Sequence, residues 1–166
     1  KFVLLDTVQF DLSWRNRNRI RTNSLNGWGW LTVPILTKGK TCQLLKDAQI
    51  NNCDKWQKRH WKSINQYYGK AKYFQEYAPF FEEVFCKIKW NYLVDLNQHL
   101  MEFFLINLGI STKIILASDM CLSGLRKNEL NIKIIQECGG NYFLANRASK
   151  VYMDVEEYEK HGIEVI

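Results

Sequence analysis

Side chains with chemistry to offer crowd the opening of the chain. Asp6, Gln9 and Trp14 lead into Arg15-Asn16-Arg17-Asn18-Arg19-Ile20-Arg21-Thr22. In an extended strand successive side chains point to opposite faces. The guanidinium groups of Arg15, Arg17, Arg19 and Arg21 are therefore expected on one face, and the amides of Asn16 and Asn18 on the other. A guanidinium fork matches phosphate and carboxylate oxygens, so the first face suits an anionic small molecule. Buried amides need several partners at once, a demand met more easily beside a polar ligand than in an ordinary core. An arginine row on a hairpin also describes a plain solvated face. The company of Asp6, Gln9 and Trp14 favours a site.

Further candidates lie downstream. On a helix expected from Asp54 to Gly69, Trp56, His60, Ser63 and Tyr67 share one stripe, while Trp61, Ile64 and Tyr68 share another that reads as core. His60 and Ser63 fit a ligand contact or a half-exposed amphipathic face. Asp95, His99 and Glu102 recur at helical spacing, as a catalytic couple or, more simply, a solvated stripe. Ser118-Asp119 and Asn146-Arg147 follow two expected strands, and ligands of parallel sheets bind beyond the carboxyl ends of the strands. Asp6 and Gln9 join that edge if the first strand runs the same way. The chain has no G-x-G-x-x-G and no Walker A sequence. Anion binding would then fall to Arg15, Arg17, Lys127 and Arg147, with help from a helix N-terminus near Arg126.

The elements that must position these groups can be read in order. An apolar strand, Phe2–Leu5, precedes the arginine row. Asn23-Ser24-Leu25-Asn26-Gly27 is a turn, and a second run from Trp28 closes a β-hairpin. Asp54 with Gln57 makes a capping box, and Gly69 a C-terminal glycine. Tyr73 to Phe85 is expected to be helical with Pro79 near its start. A long helix runs from about Trp90 to Leu108 and stops at Gly109, its core face formed by Leu93, Leu96, Leu100, Phe103 and Phe104. Thr112–Ala117, Lys127–Cys138 and Asn141–Ala145 read as strand, helix, strand, a βαβ unit with parallel strands. Asp154 with Glu157 caps a short last helix that stops at Gly162 before a final strand. The expected fold is α/β: a single domain over 1–166, a mixed, mostly parallel sheet with a β-hairpin and helices, Rossmann-like in its C-terminal third.

Composition narrows the class. Hydrophobic residues make up 46% and aromatics 14% of 166 residues, which excludes a disordered chain. No run of about 18 apolar residues exists, so no membrane insertion is expected. The net charge of +6 and pI near 9.0 suit an anionic partner. The cysteines Cys42, Cys53, Cys86, Cys121 and Cys138 are odd in number and scattered, which argues for a reducing cytosol and against a zinc site. His60, His99 and His161 have no ligand spacing, so no metal held by the protein is expected, though Mg²⁺ can arrive on a phosphate substrate. Lys1 opens the chain almost inside a strand, and residues before it are expected to be missing.

Phe2-Val-Leu-Leu-Asp-Thr-Val-Gln-Phe10, Ser13-Trp-Arg-Asn-Arg-Asn-Arg-Ile20 and Trp30-Leu-Thr-Val-Pro34 resemble the WbqC-like family. The likeness continues through Trp56, His60, Ser63, Tyr68-Gly69, Leu96-Asn97, Leu108-Gly109-Ile110 and Tyr152-Met153-Asp154 to Gly162-Ile163. Members usually begin with an extra strand and a Gln-Pro-Tyr-rich loop, absent here. They also tend to carry Ser-Gly where this chain has Ala145-Asn146. The resemblance implies a cytosolic bacterial protein of surface-polysaccharide (O-antigen) biosynthesis, and attachment of an amino acid such as glycine to an amino sugar. It nominates Asp6, Gln9, Asn16, Arg17 and Asn18 first, then Trp14, Thr32, His60 and Ser63.

Three readings follow. The first is a transferase, or an ATP-dependent amide-forming ligase, acting on a nucleotide-linked amino sugar. Asp6, His60 and Asn18 would be its catalytic candidates, and ATP with Mg²⁺ one way of activating a carboxylate. The Asp-x-x-Gln motif after a first strand is similar to that of ATP-dependent amide synthases of the nucleotidylyl-transferase superfamily, an analogy of fold alone. The second is a nucleic-acid-binding module using the arginines with Trp14, Trp28 and Trp30; no RNP, KH or helix-turn-helix pattern supports it. The third is a non-catalytic subunit of a glycan-assembly complex. The sequence specifies neither the cofactor nor the oligomeric state.

Overall fold

Short strands and helices alternate along the chain, which places it in the mixed α/β class. The strands are β1 (Phe2–Leu4), β2 (Arg17–Arg21), β3 (Trp28–Thr32), β4 (Ile114–Leu116), β5 (Tyr142–Phe143) and β6 (Glu164–Val165). The helices are α1 (Trp56–Tyr68), α2 (Phe74–Glu82), α3 (Leu93–Asn107), α4 (Lys127–Glu137) and α5 (Val155–Lys160). The computed structural model describes residues 1–12, 14–122, 124–146 and 153–166. Ser13, Arg147 and Tyr152, named above, lie outside the described residues. Packing divides the chain into two compact units, Val8–Leu108 and a second made of Lys1–Thr7 with Gly109–Ile166.

In the unit Val8–Leu108 the expected hairpin is present. Strands β2 and β3 pair antiparallel, with Arg17 opposite Thr32, Arg19 opposite Trp30 and Arg21 opposite Trp28. Gly27 takes φ +71° at the turn, and Ser24 Oγ donates to the Trp28 carbonyl at 2.9 Å. The arginine row is not one continuous strand, however. Trp14–Asn16 form a 3₁₀ turn, so Arg15 and Asn16 leave the alternation, and the two asparagines differ in burial. Asn16 is buried, whereas Asn18 is exposed. The reason is local: the Asn16 side-chain amide donates to the Val33 carbonyl at 2.9 Å, and the Val33 N–H donates back to the Asn16 carbonyl at 2.8 Å.

The core beneath is built by α1, α2 and α3 around Trp56, Val84, Leu93 and Leu96. The buried stripe of α1 is Trp56, His60 and Ile64, so His60 belongs to the core face rather than to a separate polar stripe. The expected capping box is not formed. Gln57 instead donates its amide across the unit to the carbonyls of Val84 (3.1 Å) and Ile88 (2.8 Å). These acceptors lie in and just after a π turn, Glu83–Lys87, that follows α2, and such helix-end carbonyls have no partner within their own turn. Asp54 turns to the Arg59 guanidinium. Pro79 sits in the interior of α2 rather than at its start. There it removes one i→i−4 hydrogen bond. On α3, His99 stacks on Phe80 (5.2 Å between ring centroids) and leans on Trp90, with Nε2 buried and unpartnered among the described residues. It is a packed ring, not part of a solvated stripe.

The other unit carries the parallel pairings. The β-branched run of β4 pairs with β1 in register, Phe2 opposite Ile114 and Leu4 opposite Leu116. Strand β5 pairs in parallel with β6. The expected order strand, helix, strand is present, but among the described residues β4 and β5 are not hydrogen-bonded to each other; each takes another partner. Tyr158, Ile132, Ile135 and Ile163 form one small core, and Ala117, Leu122 and Ile134 another. Asp154 caps α5 through the Glu157 N–H as expected.

Candidate functional site

A cavity of about 970 Å³ opens in the unit Val8–Leu108. This is at the upper end of the size of small-molecule sites. Of the residues expected from the sequence, Trp14, Arg15, Asn16, Arg17, Asn18 and His60 line it together. The 3₁₀ turn and β2 supply the first five, and the buried stripe of α1 supplies His60.

Arg17 and Arg19, which line the cavity with Trp14, belong to an arginine–tryptophan stack on the hairpin face of Trp28 and Trp30, two rings that do not line it. Residues paired directly across antiparallel strands point to the same side, which places Trp28 and Trp30 beside Arg19 and Arg17. The Arg19 guanidinium carbon lies 4.2 Å from the centre of the Trp28 ring and 4.9 Å from those of Trp14 and Trp30. Arg17 lies 4.4 Å over Trp30. The rings hold the cations in place without neutralising them. Among the described residues no carboxylate lies within salt-bridge distance of Arg17 or Arg19, and the Arg17 Nε–H is buried with no acceptor. Arg15 differs: it donates to the Asp11 carboxylate at 2.7 Å and to the Gln9 carbonyl at 2.9 Å.

His60 is held between Trp56 (5.1 Å) and Phe85 (5.6 Å). A carbonyl only accepts, so the 3.1 Å contact with the Thr32 oxygen puts the proton on Nε2 and leaves the lone pair on Nδ1. Burial pushes its pKa down to about 4; the Thr32 carbonyl works against that shift, and the Arg59 charge adds to it. The ring is neutral at pH 7.

The remaining candidates fall elsewhere. Thr32 meets His60 only through its backbone carbonyl. Ser63 is half-buried on α1 and does not line the cavity. Gln9 donates its amide to the Thr41 carbonyl at 3.2 Å. In the other unit, Asp6 is buried and its carboxylate accepts the Ser118 N–H at 2.8 Å, tying together the carboxyl ends of β1 and β4. Lys127 opens α4 in a left-handed conformation at φ +50°. Asn146 follows β5 in that unit.

Two contributors were not singled out as site residues from the sequence. Asn97 lines the cavity from α3 and donates to the Arg15 carbonyl at 3.0 Å; an amide beside Leu96 on an otherwise apolar stripe was the available signal. Tyr68 also lines it, and its hydroxyl accepts the Arg21 N–H at 2.9 Å.

The family model described as the WbqC-like protein family matches residues 1–166. A curated relative, "Uncharacterized protein Rv1507c" of Mycobacterium tuberculosis (strain ATCC 25618 / H37Rv), is 29% identical over 166 residues, which cover 99% of this chain and 70% of that protein. No solved structure matches.

Proposed function

Since the chain belongs to the WbqC-like family, we propose that it is a cytoplasmic transferase of bacterial surface-polysaccharide (O-antigen) biosynthesis. Its substrate would be an amino sugar carried on phosphate, as in a nucleotide sugar, and the product an amide with an amino acid such as glycine. One observation carries this reading: Arg17 and Arg19, uncompensated by any carboxylate among the described residues, line a large cavity, their guanidinium groups braced by tryptophan rings. Cations so placed are suited to phosphate oxygens. Trp14, with 59% of its surface exposed, offers a ring face to a sugar or base. Catalysis would rest on orientation and on stabilising developing negative charge. Asn18, exposed on the cavity lining, would orient a polar group. His60, neutral with its lone pair on Nδ1, would accept a hydrogen bond from the amine rather than remove its proton, because a pKa of about 4 makes it a weak base.

That same weakness favours a second reading, a non-catalytic subunit that binds the glycan precursor. Thermal shift against a uridine diphosphate amino sugar, ATP with Mg²⁺, and glycine separates the two, followed by assay of amide formation. Stabilisation together with turnover supports the enzyme. Stabilisation without turnover supports the binding subunit, and a flat screen overturns the phosphate-sugar assignment.

A further inference from the structure

A nucleotide sugar accounts for only part of this cavity. Its hydroxyls and phosphates want water or polar partners, and setting them against carbon is unfavourable. Yet most polar side chains occupy one region of the walls, and the rest, apart from Lys72, Asn107 and three tyrosines, is apolar. Along α3 the lining begins at Leu96 and Asn97, where Asn97 touches the polar turn through Arg15. It continues through Leu100, Phe103 and Phe104 to Leu108. At 1.5 Å per residue, Leu96 to Asn107 covers roughly 16 Å of helix axis. Opposite run Ile64 of α1 and Phe74, Tyr77 and Phe81 of α2. The far end is open: Phe104 is 48% exposed and Leu108 71%. The cavity is thus a largely apolar trench with Arg17 and Arg19, which meet no carboxylate among the described residues, at one end.

We infer that the cavity takes a phosphate-headed amphipath, its apolar chain lying in the trench and its phosphate meeting Arg17 and Arg19. This rests on the reading of the cavity as the substrate site, and it names the carrier: a sugar or its acceptor presented on a lipid phosphate. Charge complementarity fixes the polarity. The unpartnered Arg17 Nε–H and the absence of a carboxylate near Arg17 and Arg19 among the described residues leave positive charge where an anionic head would lie. The α2–α3 wall of Phe81, Phe103 and Phe104, with ring centroids 5.6–6.2 Å apart, offers only carbon to what lies beyond.

Calorimetric titration at fixed ionic strength tests this with farnesyl diphosphate, dodecyl phosphate, farnesol, inorganic diphosphate and a uridine diphosphate amino sugar. The expected result is that farnesyl diphosphate binds at least tenfold more tightly than inorganic diphosphate and than farnesol. Phe104→Asp, at a half-exposed position, should remove that advantage and leave the binding of the amino sugar nucleotide unchanged. Arg17→Gln should weaken farnesyl diphosphate and the amino sugar nucleotide alike. A preference for dodecyl phosphate would support the amphipath and identify a straight chain rather than an isoprenoid. Three results would overturn the inference: a chain that adds nothing to diphosphate, farnesol binding as tightly as its diphosphate, or Phe104→Asp without effect. If the sugar nucleotide binds and the chain adds nothing, this inference fails alone. If no phosphate-bearing ligand binds, the phosphate-sugar reading fails with it.

Discussion

Asn16 and Asn18 stand two residues apart and do different work. The buried Asn16 amide holds the Val33 carbonyl, so Asn16→Ala would leave a buried acceptor unpaired, at about 1–3 kcal/mol. A drop of several degrees in melting temperature is expected, and an unchanged melt would refute the clamp. Asn18 is exposed, so Asn18→Ala should melt like the parent and lose ligand affinity or turnover. His60 supplies a prediction in pH. Unfolded, its imidazole takes a proton near pH 6.5; folded, it resists until about pH 4. Between those values the unfolded state binds the extra proton, so stability falls as pH drops from 6.5 to 4 and levels off below. The total is on the order of 3 kcal/mol at 1.36 kcal/mol per pKa unit. Urea melts across this window should show the decline, and His60→Gln, which keeps a donor for Thr32, should flatten it. An equal slope in the variant would assign the acid limb to other groups.

Elements were legible where one local signal decided them. The turn at Gly27, the Asp154 cap and the stop of α3 before Gly109, at φ +68°, all matched their sequence cues, because a positive φ or a cap bond is set within a few residues. Where a local cue competed with a distant partner, the distant partner won. Gln57 left its capping box for the carbonyls of Val84 and Ile88, more than 25 residues away, which no spacing rule could reveal. The Val84 carbonyl also accepts the Trp90 indole N–H at 2.9 Å, so Gln57→Ala orphans the Ile88 carbonyl and should lower stability by about 1–3 kcal/mol; a loss of a few tenths would mean that solvent reaches it. Gly69 was read correctly as the residue ending α1 but for another reason. It is right-handed at φ −57°, and a Cβ there would lie 2.5 Å from the Asn65 carbonyl oxygen. Gly69→Ala is expected to destabilise by about 1–3 kcal/mol through that clash, whereas relief of a left-handed strain would play no part.

At the scale of the molecule, the α/β class followed from alternating patterns, while strand partnership did not, since pairing is decided by contacts more than a hundred residues apart, as between β1 and β4. The parallel run of β1 with β4 did bring Asp6 to Ser118, as the sheet-edge argument required. The division into two units left no linker signature to read. Half of the candidate site was legible for the same reason as the hairpin: Trp14 to Asn18 are contiguous. The apolar walls from α2 and α3 were indistinguishable from core, because an unfilled trench and a packed interior use the same residues. No helix among the described residues is long and apolar enough to cross a membrane. The net charge of +6 predicts that phosphate binding weakens as salt rises; affinity independent of ionic strength would argue against the arginine wall.

The most direct test is a binding titration of a uridine diphosphate amino sugar against the parent chain and Arg17→Gln, with folding of both checked by thermal melts. A charged hydrogen-bonding contact contributes about 1.5–3 kcal/mol, so affinity should fall roughly tenfold or more while the melting temperature stays within a few degrees. Equal affinity in the two proteins would contradict the assignment of this cavity as the site that holds the phosphate.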